Sequence, residues 1–151
     1  MKTIINIVAL TALAVAAARA GTITVTFDQP NQTGRSGDTL HFWGVIANTG
    51  TDTDPANAVC LNGDSFNFSL TPASYEASDN FGSTPIFLTG GGSSGHIDLF
   101  DITLNVGTSD PFGAYAGTYG LIGGQDGGDL SGQDNLAQAD FSINVVTPGP
   151  R

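Results

Sequence analysis

After residue 20 this sequence contains no lysine and only two arginines, Arg35 and Arg151, against all 14 of its acidic residues. A chain so short of cations cannot neutralise phosphates, which excludes nucleic-acid binding as a function class. Cysteine is as scarce. Cys60 is the only one in 151 residues, so no disulfide can close within the chain and packing alone must hold it. Long apolar runs are also missing beyond residue 20, where nothing approaches the roughly 20 residues that a bilayer-spanning helix needs. Charged residues make up only 12% of the chain, whereas hydrophobic ones make up 40% and include nine phenylalanines. That balance is too apolar for a solvated coil. The length fits one domain that can bury a core of its own.

Residues 1–20 have the pattern of a secretory signal. Met1-Lys2 supplies the positive start, Ile4 to Ala18 the apolar run, and Ala18-Arg19-Ala20 the small-x-small cleavage site before Gly21. A membrane anchor is the rival reading, but the run is short and Asn6 interrupts it. The expectation is a cleaved leader, a domain over 21–146, and a disordered tail at 147–151. The mature protein is then secreted or periplasmic, with no membrane span. In that setting Cys60 could bridge two chains, but within Ala58-Val59-Cys60-Leu61 the plainer reading is a small buried hydrophobe.

The body alternates like strands. Ile23, Val25 and Phe27 interleave with Thr22, Thr24 and Thr26. Thr39 to Asn48 is apolar on both faces, as a central strand would be. Ala58 to Leu61 and Ser65 to Leu70 flank Asn62-Gly63, a tight-turn signal that predicts a hairpin. Pro72 to Pro85 reads as irregular, and Pro85 to Leu88 as a short strand. In His96 to Val106, Ile97 and Leu99 share one parity, whereas Phe100, Ile102, Leu104 and Val106 share the other; a β-bulge produces such a phase change. Ala116 to Ile122 and Leu136 to Val146 complete seven or eight strands with no convincing helix. The predicted fold is all-β, a two-sheet antiparallel sandwich of immunoglobulin-like type. Tyr115, with Tyr119 as the alternate, is placed to form a structural tyrosine corner before the penultimate strand.

Gly37 to Gly50, Leu61 to Phe66, the Gly-x-Tyr-x-Gly-x-Tyr stretch at 113–119 and Gly123-Gly124-Gln125-Asp126 together carry a family likeness. They resemble the extracellular domains of bacterial proteins with a PEP-CTERM sorting tail. The resemblance implies export and association with exopolysaccharide, and it supplies no catalytic residues. The family's tail carries Pro-Glu-Pro, an apolar span and a basic terminus, a pattern that Pro148-Gly149-Pro150-Arg151 does not match, so sorting by that route is not expected.

Catalytic signals are thin. Gly91-Gly92-Ser93-Ser94-Gly95 matches G-x-S-x-G, but a nucleophile elbow needs a strand before it and a helix after it, and here a strand follows. His41 and His96 have no metal-ligand spacing. Thirteen aspartates and Glu76 offer no pair that their spacing would single out for glycoside hydrolysis. No cofactor is implied, and the one metal reading is calcium at Asp126, Asp129 and Asp134 in a glycine-rich loop, against solvated turn aspartates as the plainer one. For ligand binding Trp43 stands out, with His41 beside it. Alternation on Leu40, Phe42 and Ile46 turns Trp43 outward, where an indole can stack on a sugar. Val45 and Ala47 on its own face favour the opposite parity and a buried tryptophan. The sequence therefore points to an exported, non-catalytic sandwich that meets exopolysaccharide or surface proteins. A carbohydrate-binding module using Trp43 is the alternative, and a hydrolase comes last.

Overall fold

The computed structural model describes residues 22–83, 87–107, 112–124 and 131–147. The leader and the aspartates at 126 and 129 lie outside these residues, as do positions 148–151 of the tail. Nine strands are described: β1 (Ile23–Phe27), β2 (Asn31–Gly34), β3 (Thr39–Asn48), β4 (Val59–Phe68), β5 (Tyr75–Asp79), β6 (Phe87–Leu88), β7 (Ile97–Leu104), β8 (Gly113–Gly124) and β9 (Asp134–Val145). Three single-turn 3-10 segments are the only helical elements among the described residues. The strands form a four-stranded sheet, ordered β1-β3-β7-β5, packed on a five-stranded sheet, ordered β2-β9-β8-β4-β6. This is an immunoglobulin-like sandwich. All pairs are antiparallel but one, since β2 runs parallel to β9.

That parallel pair follows from a sheet switch near the start of the domain. β1 pairs with β3, then Asp28-Gln29-Pro30 carries the chain across to β9. Pro30 has no N–H to leave unpaired at the crossing, and its carbonyl accepts from the Ser142 amide at 2.8 Å. The sequence gives little sign of β2, because Asn-Gln-Thr-Gly has neither alternation nor bulk.

Two further expectations are corrected. Asn62-Gly63 is not a hairpin turn: β4 runs straight through it, and the register with β8 slips between Leu61 and Gly63. Asn62 fills the irregularity and donates to the Gly132 carbonyl at 2.7 Å, fastening β4 to the segment before β9. The Asn-Gly pair thus serves a bulge in a central strand, held between β6 and β8. Within the stretch read as irregular, Tyr75–Asp79 forms β5, an edge strand with four of its five residues exposed. An edge strand with one wet face needs no apolar alternation, so its pairing with β7 was not visible in the sequence.

The core follows the parities read from the sequence. Phe42, Ile46, Leu99, Phe100, Ile102 and Leu104 from one sheet meet Val59, Leu61, Tyr119, Leu121, Phe141 and Ile143 from the other. Each fully buried side chain of this size contributes roughly 1.5–3 kcal/mol. Phe42 stacks on Phe100 at 4.5 Å between centroids, and Phe100 stacks on Tyr119 at 5.1 Å. Phe141 reaches this cluster only because residue 117 is glycine; a Cβ there would lie 2.1 Å from the ring. Cys60 is fully buried in β4, its thiol 3.0 Å from Asn62 Oδ1. It is a core residue, as its neighbours suggested.

Candidate functional site

The outer face of the four-stranded sheet gathers the unusual side chains. β3 alternates as Leu40, Phe42 and Ile46 required, so His41 and Trp43 point to solvent. Trp43 is 42% exposed, which corrects the expectation of burial. The apolar neighbours Val45 and Ala47 are themselves only half-buried on that outer face.

The bulge foreseen in the seventh strand organises the site. Phe42 pairs with Phe100 but Trp43 pairs with Asp98, so Leu99 is the extra residue on β7. Leu99 and Phe100 both turn into the core, at 0% and 2% exposure. Three residues apart on a regular strand, Asp98 and Asp101 would face opposite ways. The bulge puts both on the outer face, flanking His41. His41 Nδ1 lies 2.6 Å from Asp101 Oδ1 and 3.5 Å from Asp98 Oδ2.

On the other flank of Trp43, the Asp28 amide donates to the Trp43 carbonyl at 2.9 Å, which sets Asp28 beside it. His96, just before β7, hydrogen-bonds Asp28 through Nε2 and stacks on the indole at 5.2 Å and 14°. One indole face is thus covered by imidazole, while Trp43 as a whole stays 42% exposed. Asp28, Gln29, His41, Trp43 and His96 line a groove of about 330 Å³. The sequence singled out Trp43 and His41 but gave no signal for Asp28, Gln29 or His96, which the sheet switch and the preceding loop bring in.

The electrostatics match the geometry. His41 is held above its ordinary 6.5, first by the hydrogen bond to Asp101 and then by the charges of Asp101 and Asp98, with partial burial opposing. Asp98 is pushed above the usual carboxylate range by desolvation and then by the neighbouring Asp101 charge. Its Oδ1 is shut away from solvent and has no hydrogen-bond partner. His41, Asp98 and Asp101 each offer one donor atom, and all three lie within 4.8 Å of one another.

A second cluster lies between the sheets. Asp64 of β4 has its carboxyl raised from 3.8 to about 6, by burial first and then by the charge and hydrogen bond of Asp79 from β5. Both line a gap of about 110 Å³ that is too narrow for a sugar ring. The Tyr119 hydroxyl is buried facing the Asp64 carboxyl, without a partner at full hydrogen-bond geometry. It therefore caps no backbone group. Tyr115 lies within β8, opposite Ile143 and half-buried, with its ring against Phe68 at 6.4 Å.

The other sequence motifs fall elsewhere. In the G-x-S-x-G match, Ser93 bridges to Ala47 and Ser94 accepts from the Ile46 amide at 3.0 Å, in a turn leading to β7. Asp134 is exposed at the start of β9, opposite Gly123. Asp52 and Asp54 spend their carboxylates on turn hydrogen bonds to Asp54 N, Asn57 Nδ2 and Ala56 N.

No family model matches this chain. No curated protein matches it either. Among solved structures, a chain from the crystal structure of a CaDoc0917 variant in complex with CaCohA2 is similar, at 17% identity and a TM-score of 0.47. The match covers 83% of this chain and 100% of the other. It is a likeness of overall shape, from which no role is carried over. Among the described residues, no helix is long and apolar enough to cross a membrane.

Proposed function

We propose that this chain is an exported, non-catalytic β-sandwich of the cell surface or extracellular matrix that binds through the outer face of its four-stranded sheet. The ligand class is a sugar ring stacked on Trp43. The observation that carries this reading is the outward, exposed Trp43, stacked on His96 and lining a groove of about 330 Å³. A flat apolar ring rimmed by Asp28, Gln29 and His41 offers a pyranose both a stacking surface and hydrogen-bonding partners for its hydroxyls. The signal pattern at 1–20 and the likeness to PEP-CTERM-type exported proteins support the surface address, and exopolysaccharide is the ligand source that fits it. A non-catalytic role is supported by the carboxylates of the groove, which are engaged with imidazoles instead of facing each other across a cleft as glycoside hydrolysis requires.

The test is retention of the purified protein on insoluble polysaccharides, with Trp43→Ala alongside and its folding checked by far-UV circular dichroism. The expected result is retention by the wild type, with a loss of at least tenfold in the variant. Equal retention by Trp43→Ala would remove the indole from the site. Failure of the wild type to bind any polysaccharide would turn the groove into a protein-binding surface.

A further inference from the structure

We propose that His41, Asp98 and Asp101 form a binding site for one divalent transition ion of the zinc class, at the edge of the Trp43 groove. The site goes beyond the sugar-binding reading and stands without it.

Three independent features converge. The first is geometry. Metal–nitrogen and metal–oxygen bonds of about 2.0–2.2 Å at tetrahedral angles place neighbouring donors roughly 3.4 Å apart. His41 Nδ1 and Asp98 Oδ2 are 3.5 Å apart already. Asp101 Oδ1, 2.6 Å from the same nitrogen, has to open by less than about 1 Å, which a part-exposed side chain can do. The second is an uncompensated oxygen. Asp98 Oδ1 is closed off from solvent with no hydrogen-bond donor, although buried carboxylate oxygens are normally satisfied. A cation held by this carboxylate offsets that charge. The third is the scarcity of side-chain cations: Arg35 is the only arginine or lysine in the described residues, and the one cation that faces these two carboxylates is the His41 imidazole when protonated.

The bulge at Leu99 is what makes the site, because without it Asp98 and Asp101 would face opposite sides of the sheet. One imidazole with two carboxylates selects a borderline ion over calcium, which takes six to eight oxygens. Three protein donors on a solvent face leave a coordination position open for water or for an oxygen of a ligand in the groove.

The experiment is calorimetric titration of chelator-stripped protein with ZnCl₂, repeated with CaCl₂. His41→Ala, Asp98→Asn, His96→Ala and Trp43→Phe run in parallel, each confirmed folded by circular dichroism. One zinc per chain is expected. Affinity should fall at least tenfold in His41→Ala and Asp98→Asn, and stay within about twofold in His96→Ala and Trp43→Phe. Since Trp43 and Asp98 are register partners, Ni²⁺ should also quench the tryptophan emission in the wild type and not in His41→Ala. The proposal is overturned if zinc does not bind, if His41→Ala binds it equally well, or if calcium competes with equal affinity. Polysaccharide retention measured with and without chelator separates the two readings. Loss of the sugar result leaves the titration untouched, and loss of zinc binding leaves the Trp43 result untouched.

Discussion

Replacing Asp64 by asparagine should stabilise the protein at neutral pH and lose that effect in acid. Folding moves this carboxyl from its ordinary 3.8 to about 6, chiefly through burial between the sheets and then through Asp79. An acid whose folded value is raised binds its proton more tightly in the folded chain. It therefore destabilises the fold above about pH 6, and that penalty fades as the pH falls toward 4. A gap of about two pH units at roughly 1.4 kcal/mol each sets a ceiling near 3 kcal/mol. Asp64 is still partly exposed at the sandwich edge, so solvent screening brings the expected figure to about 1–1.5 kcal/mol. The asparagine keeps the shape and can still hydrogen-bond Asp79. Urea unfolding followed by far-UV circular dichroism, at pH values from about 4.5 to 8, gives the stability difference between variant and wild type. The raised value of His41 likewise makes stability fall as pH rises, but taking the difference cancels it. A difference that does not change with pH, or a variant less stable at pH 7.5, would refute the reasoning.

Three other perturbations test separate parts of the structure. Gly123→Ala places a Cβ 2.0 Å from the Cys60 carbonyl oxygen, a backbone atom that cannot step aside, so unfolding should show a loss of about 3 kcal/mol or more. Tyr119→Phe removes a buried hydroxyl that faces Asp64 without full hydrogen-bond geometry; the variant should stay within about 1 kcal/mol of the wild type, and a loss above about 1.5 kcal/mol would mean that the hydroxyl is firmly bonded to Asp64 in solution. Trp43 is the only tryptophan, so its emission reports one site. Acrylamide should quench it readily, and a blue-shifted, shielded emission would return the indole to the core.

Strand parity was legible wherever one face had to be apolar. The order Leu40, Phe42, Ile46 decided which side of β3 is buried, and that order outweighed the apolar Val45 and Ala47 that suggested the reverse for Trp43. The phase change around Leu99 was visible for the same reason, since two adjacent inward residues break period-two alternation. Elements without an apolar face left no such trace. β2 and β5 are short edge strands whose hydrogen bonds come from β9 and β7, so nothing within Asn31–Gly34 or Tyr75–Asp79 announces them. Asn62-Gly63 misled because the same residue types suit a turn and a bulge, and the choice between them depended on β8 being present to pair with both halves of β4.

By itself, then, the sequence determined the class of the fold, because alternation, turn residues and the scarcity of cysteine and of basic residues act locally or through composition. It also carried the two residues at the centre of the groove, His41 and Trp43, on one strand. The tertiary structure alone decided what stands around them. Asp28 and Gln29 come from the sheet switch, His96 from a loop, and Asp98 and Asp101 from a neighbouring strand whose bulge turns both outward. Asp64 and Asp79 likewise meet only because two sheets pack face to face. Contacts between residues far apart along the chain are set by how the sheets pair and stack, and no local pattern of residues encodes that distance.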